Sequence, residues 1–520
     1  MTRQSGSARR LLRRPGAGLL AVLLLLAGLG VVADLTAPPP TTTTGASPGS
    51  SGLATVPVVR AQGVCPDPTV DPTTASQVGL AAPGARTEGT TGSTGPDAAP
   101  DTLASGVTLT RLAGRVPTAA APLSAPGAQA VPVATGGGPL VARATGASAP
   151  GLGVDMLTRS TDAEVRGLSG TSCVAPGTDF WFVGSGAVIG ERGRVYLSNP
   201  EAAAAVVDIS LWGPDGPIDA PAGKGIAVAA GAQEVRLLDA LAPGVTRFAV
   251  HVRTRSGRVS AAVRDQRLDG LTPRGIDWLP VAAPPALHQV VPGVVGGAGQ
   301  RLLQVAAPGA ADAIVTLRLV TASKTYTPVG LDVLSVRAGT VAEVDLSEVA
   351  AGEPVAVELQ ADAPVTAGLM SRVTAADGLV SDAAFTAAAA PLLSATPGLV
   401  ALVRQGEGAT SALLLSAPQG RASVRLEPVA PATPAGSAPP VVEVPAGTTV
   451  VVDLATVSLA PTFALAVSPA PGSGPVFAVR SVQEPEAGGP MLSTEVLTPG
   501  LFRVMVPRVV SEVTTGLSAP

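Results

Sequence analysis

Three segments of this chain read alike: VAAGAQEVRLL from Val228, VRAGTVAEVDL from Val336 and VPAGTTVVVDL from Val444. Each is a glycine turn followed by a short apolar strand, and their glycines, Gly231, Gly339 and Gly447, stand 108 residues apart. AAVRDQ, LMSRVT and FAVRSV place Arg264, Arg372 and Arg480 at the same interval, and RFAVHV, PVAVEL and TFALAV correspond as well. Such a period restricts the chain to a tandem array in which each repeat is one structural unit packed on its neighbours. A fainter copy lies upstream, where PGAQAVPVA around Gly127 echoes AGAQEVRLL.

Within a repeat, VTLRLV and RFAVHV alternate apolar and polar residues, the period of a half-buried strand. Strand-length runs rich in Val and Leu end at Gly, Pro or Asp, and Gly213-Pro214-Asp215-Gly216 reads as a turn between two of them. Aromatic residues make up only 2% of the chain against 61 glycines and 51 prolines, so its cores are aliphatic and thin. The expected fold is all-β: tandem immunoglobulin-like β-sandwich modules, spanning 57–184, 185–292, 293–398 and 399–520. The tract near 84–101 reads as a disordered loop in the first module, and the Pro-Gly pairs at 292–293, 397–398 and 499–500 as joints.

The N-terminus places Arg9, Arg10, Arg13 and Arg14 before an uncharged run from Pro15 to Ala33. Residues 1–34 are therefore expected to form a signal or membrane-anchoring helix that directs the rest of the chain outward, and the Pro/Ser/Thr-rich 35–56 a stalk. The result is a single-pass membrane protein with an extracellular C-terminal region, or a secreted one if the segment is cut near Ala33. Both cysteines, Cys65 and Cys173, lie beyond it, and an even count in an oxidising compartment predicts a disulfide.

A net charge of −4 without basic blocks argues against nucleic acid as a partner. No G-x-S-x-G, P-loop, H-E-x-x-H or EF-hand pattern occurs, and the two histidines, His251 and His288, have no histidine or cysteine nearby in sequence to complete a metal site. No catalytic residue, cofactor or metal is expected, although a hydrolase site could be assembled from distant strands. Arg264, Arg372 and Arg480 read either as a stripe for anionic glycans or as local strand-end partners. In DFWF, alternation sends Phe180 and Phe182 to one face and Trp181 to the other, so Trp181 is either an exposed glycan or partner contact or part of an aromatic plug between modules one and two.

The stretches GTSCVAPGTDFWF, VYLSNPEAAAAVVDISLWGPDG and HVRTRSGRVSAAVRD, behind an N-terminal apolar segment, resemble an uncharacterised actinobacterial exported-protein family, domain of unknown function 5719. The resemblance implies an envelope protein, often encoded beside a large membrane glycosyltransferase, and supplies no catalytic residues. The expectation is a non-enzymatic, membrane-tethered scaffold or accessory in envelope polysaccharide assembly, offering a long, stiff surface to that glycosyltransferase or to the polysaccharide. A glycan-binding or adhesive surface protein is the alternative.

Overall fold

The structure, a computed structural model, describes residues 53–507 apart from 68–73, 85–103, 114–122, 135, 163, 351, 376–377, 379, 431–438 and 486–487. The expected N-terminal helix, the expected stalk as far as residue 52 and most of the expected loop near 84–101 lie outside the described residues. The last residues assigned to the stalk, 53–56, belong instead to the strand Leu53–Pro57. Among the described residues no helix is long and apolar enough to cross a membrane. The compact unit Thr55–Met505 holds all the sheets discussed below. The other unit, Met1–Ala54 with Val506–Pro520, is described only at Leu53–Ala54 and Val506–Pro507.

The chain is all-β and built of tandem sandwiches, with one antiparallel sheet order recurring in each. In the second sandwich the order is Gln233–Leu237, Arg194–Ser198, Ser260–Asp269, Thr272–Leu279. In the fourth it is Thr448–Asp453, Thr410–Ala417, Phe477–Glu484, Met491–Val496. The first repeats it with Gly127–Val133, Ala75–Ala82, Gly153–Ser160 and Gly167–Ser172. The third does so with Thr340–Asp345, Arg301–Ala307, the second half of Val355–Thr374, and Ser381–Ala387. Gly231, Gly339 and Gly447 precede the first strand of this order with φ of 69°, 70° and 72°, the left-handed conformation that their turn needs.

A second sheet covers each of these. Its strands show the expected alternation: Ala205–Trp212 buries every other residue, and Ala313–Val320 does so over most of its length. The apolar side chains so directed form one aliphatic core per sandwich, led by clusters such as Val207, Ile209, Leu211 and Val250 in the second. Asp179–Ser185 pairs with Phe248–Ser256, so it opens the second sandwich rather than closing the first, and the boundary after residue 184 moves upstream. Ala286–Val294 likewise pairs with Val355–Thr374 and opens the third. The Pro292-Gly293 pair is therefore no joint. It is a bulge inside that strand, where Gly293 (φ 74°) leaves room for Val479 of the fourth sandwich.

The last strand of the recurring order, here the closing strand, is an edge strand in every sandwich: Gly167–Ser172, Thr272–Leu279, Ser381–Ala387 and Met491–Val496. These edges are not solvated. Every residue of Ser381–Ala387 and of Met491–Val496 is buried. Each closing strand touches the next, and the fourth touches the first. The sandwiches thus close on one another around their four edges, which replaces the expected long, stiff array in which each module meets only its sequence neighbours.

Candidate functional site

A buried sheet edge presents backbone N–H groups without a ladder partner, and burying them unpaired is costly. Here carboxylates accept them. Asp382 Oδ2 accepts from the N–H of Leu168 at 3.0 Å and of Leu492 at 2.9 Å. Its Oδ1 accepts from Ile276 at 3.2 Å and from Ala383 at 3.0 Å. One side chain of the third sandwich therefore ties down the closing strands of all four. Asp277 Oδ1 accepts from the N–H of Gly170 and of Trp278, each at 2.8 Å. Asp155 Oδ2 accepts from Ala401 at 2.5 Å and Leu402 at 3.2 Å, joining the first sandwich to the fourth.

Beside Asp155 lies a second carboxyl with the opposite electrostatics. Arg480 Nη2 donates to Glu495 Oε2, and Ser172 Oγ donates to Glu495 Oε1 at 2.5 Å. Burial pushes the Glu495 carboxyl up, but the Arg480 guanidinium and hydrogen bonds from Asp155 and Ser172 bring it below its ordinary value. Burial, with the adjacent Glu495 charge, holds Asp155 well above the usual carboxylate range. Burial raises Asp277 as well, against its backbone donors, and pushes Asp382 up to about 7. Asp155 is thus the protonated partner and Glu495 the ionised one.

The GTSC signature runs through this centre. A Cβ on Gly170 would stand 2.6 Å from Ser493 Oγ, so the first and fourth closing strands meet closely at this glycine. Ser172 reaches Glu495, and Cys173 is bonded to Cys65 as expected. In DFWF, Phe180 and Phe182 enter the core of the second sandwich and Trp181 the other face. Trp181 is only 7% exposed: it packs on Ala282 and Ala387 and stacks on His251 with ring centroids 4.0 Å apart. It is a plug, set against the third sandwich rather than between the first and second, and not an exposed contact.

The periodic arginines form no surface stripe. Arg264 is buried, its guanidinium 5.8 Å from the Tyr196 ring and 5.7 Å from the Trp278 ring where the first and second sandwiches meet. Arg480 is fully buried against Glu495. Arg372 is half-buried, donates to Gln300 Oε1 at 2.7 Å, and is lowered by burial to about 10. None of the three offers a free face of the kind a glycan stripe would require.

A partly open cavity of about 970 Å³ lies where the first, second and fourth sandwiches meet. Asp155, Ser172 and Glu495 line it, together with the Cys173 side of the disulfide. Its remaining walls mix half-buried apolar side chains, Leu152, Val281 and Leu399 among them, with the polar Gln62, Thr145 and Thr171, and the exposed Arg60, Arg143 and Arg258 stand at its rim. Among the described residues no group of three or more His, Cys, Asp or Glu is placed to hold a metal ion.

These four acids escaped the sequence reading because none recurs at 108 residues, where Phe385 follows Asp277 and Pro490 follows Asp382. The strand register nevertheless makes Asp277 and Asp382 equivalent, each one residue before the partner of a periodic arginine, Trp278 opposite Arg264 and Ala383 opposite Arg372. A usable signal was present in GIDWLP, SDAAF and LSTEVL, where an acid interrupts an otherwise apolar strand, since unpaired carboxylates are almost never buried. Comparison with curated proteins and with solved structures gives no match. A family model described as "Family of unknown function (DUF5719)" matches residues 123–455, more than half of the chain, which therefore belongs to that family.

Proposed function

We propose that this protein is an exported, membrane-tethered scaffold of the cell envelope that works by binding rather than by catalysis, in support of polysaccharide assembly. The observation that carries the reading is the Cys65–Cys173 disulfide, which fastens the start of the first sandwich to the segment entering the second. Such bonds persist in oxidising compartments outside the cytosol. The basic N-terminus followed by an apolar run supports the same direction of export. The buried acids support binding over catalysis: Asp382 spends both oxygens on backbone N–H groups of the closing strands, and Asp155 Oδ2 and Asp277 Oδ1 each accept from two backbone N–H groups.

Crosslinking the tethered protein in living cells, followed by identification of the molecules recovered with it, tests this role. Recovery of a membrane glycosyltransferase or of envelope polysaccharide is the expected result. Recovery of nothing above background would overturn the assembly role.

A further inference from the structure

We propose that the cavity between the first, second and fourth sandwiches binds an anionic amphiphile, with its apolar chain inside and its phosphate or carboxylate head on the arginines of the rim. The inference stands on the cavity itself and is independent of the envelope role.

Size comes first. About 970 Å³ lies at the upper end of the roughly 300–1,000 Å³ of ligand pockets. The space is framed by strands of three sandwiches, by the disulfide and by the connections 174–176, 280–281 and 498–501.

Charge comes second. Arg258 is paired with Glu201 at 2.6 Å. Arg143 makes only long contacts, 3.4 Å to Thr110 Oγ1 and 3.5 Å to the carbonyl of Pro200. Among the described residues neither Arg60 nor Arg143 has a carboxylate within ion-pair distance. Deeper in, Glu495 is matched by Arg480, and burial beside Glu495 favours the neutral form of Asp155. The rim therefore carries two uncompensated positive charges, and guanidinium groups suit phosphate and carboxylate.

The floor comes third, and it separates a lipid-like ligand from a sugar. A sugar site offers exposed aromatic faces and many side-chain hydrogen bonds. The accessible side chains here include the aliphatic Leu152, Val281 and Leu399 beside the polar Gln62, Thr145 and Thr171, and the aromatic faces are closed off, with Trp278 1% and Phe182 0% exposed. Aliphatic side chains below a cationic rim match an apolar chain ending in an anion.

The test is calorimetric titration of the full chain, with protein-free buffer as background, using decyl phosphate, decyl maltoside and inorganic phosphate below any micelle concentration. The expected result is saturable binding of decyl phosphate, at least tenfold tighter than either comparison compound. The double variant Arg60→Glu, Arg143→Glu, both at exposed positions, should lose at least tenfold in affinity while melting as the parent does. Equal affinity for the two decyl compounds, equal affinity for inorganic phosphate, indifference to the charge reversal, or no saturable binding would each overturn the proposal.

Discussion

Leu168 of the first sandwich and Leu492 of the fourth donate their backbone N–H groups to the same oxygen of Asp382, at 3.0 and 2.9 Å. Two strands from opposite ends of the described chain thus meet on one carboxylate of a third sandwich. The other oxygen serves Ile276 of the second. Asp382 is the point where the repeat stops being a string and becomes a closed body.

Asp382→Asn should therefore be costly. An amide keeps one acceptor oxygen but turns a donor toward two of the four N–H groups, leaving them buried and unpaired. A loss of about 2–5 kcal/mol is expected. Urea unfolding checks it, and the loss should be global because all four closing strands share the group.

Asp155→Asn should be tolerated. Asp155 is held protonated beside Glu495, and an asparagine reproduces that state, with one oxygen for Ala401 and Leu402 and an N–H for Glu495. A change within about 1 kcal/mol at pH 6 is expected. A loss as large as that of Asp382→Asn would contradict the protonation assignment.

Stability should fall as the pH rises. Asp382 titrates at about 7 in the folded protein, above its ordinary value. Its contribution to folding is fully present below the unfolded carboxylate value, near 4, and is lost as pH rises through 7. Asp155 and Asp277 are shifted the same way. Glu495 has the opposite sign, and its contribution is lost only as pH falls below the ordinary carboxylate range. The urea midpoint should accordingly be higher at pH 5 than at pH 8, with a shallower slope in Asp155→Asn.

Trp181→Ala should behave as a core truncation. The ring is buried between Ala282, Ala387 and the His251 and Trp212 rings, so a loss of about 3–5 kcal/mol is expected. Thermal melting checks this; a variant with unchanged stability and a lost glycan ligand would restore the exposed-contact reading.

The repeat was legible because it lives in local chemistry. A left-handed glycine and an alternating strand each leave a mark at fixed spacing, and Gly231, Gly339 and Gly447 carry it. Cys65 and Cys173 were legible from compartment alone. The closure was not, because Asp155, Asp277, Asp382 and Glu495 act on backbone N–H groups and side chains of other repeats, and even the equivalent pair Asp277 and Asp382 stands 105 residues apart, off the 108-residue spacing. The 108-residue spacing of Arg264, Arg372 and Arg480 was real, but neighbours differ: an aromatic pair, Gln300 and Glu495 respectively.

Small-angle scattering on residues 55–505 measures the closure most directly. A compact unit of about 450 residues, Thr55–Met505, should give a radius of gyration of about 22 Å. Four sandwiches strung end to end would give roughly twice that, and such a value would contradict the convergence of the four closing strands on Asp382.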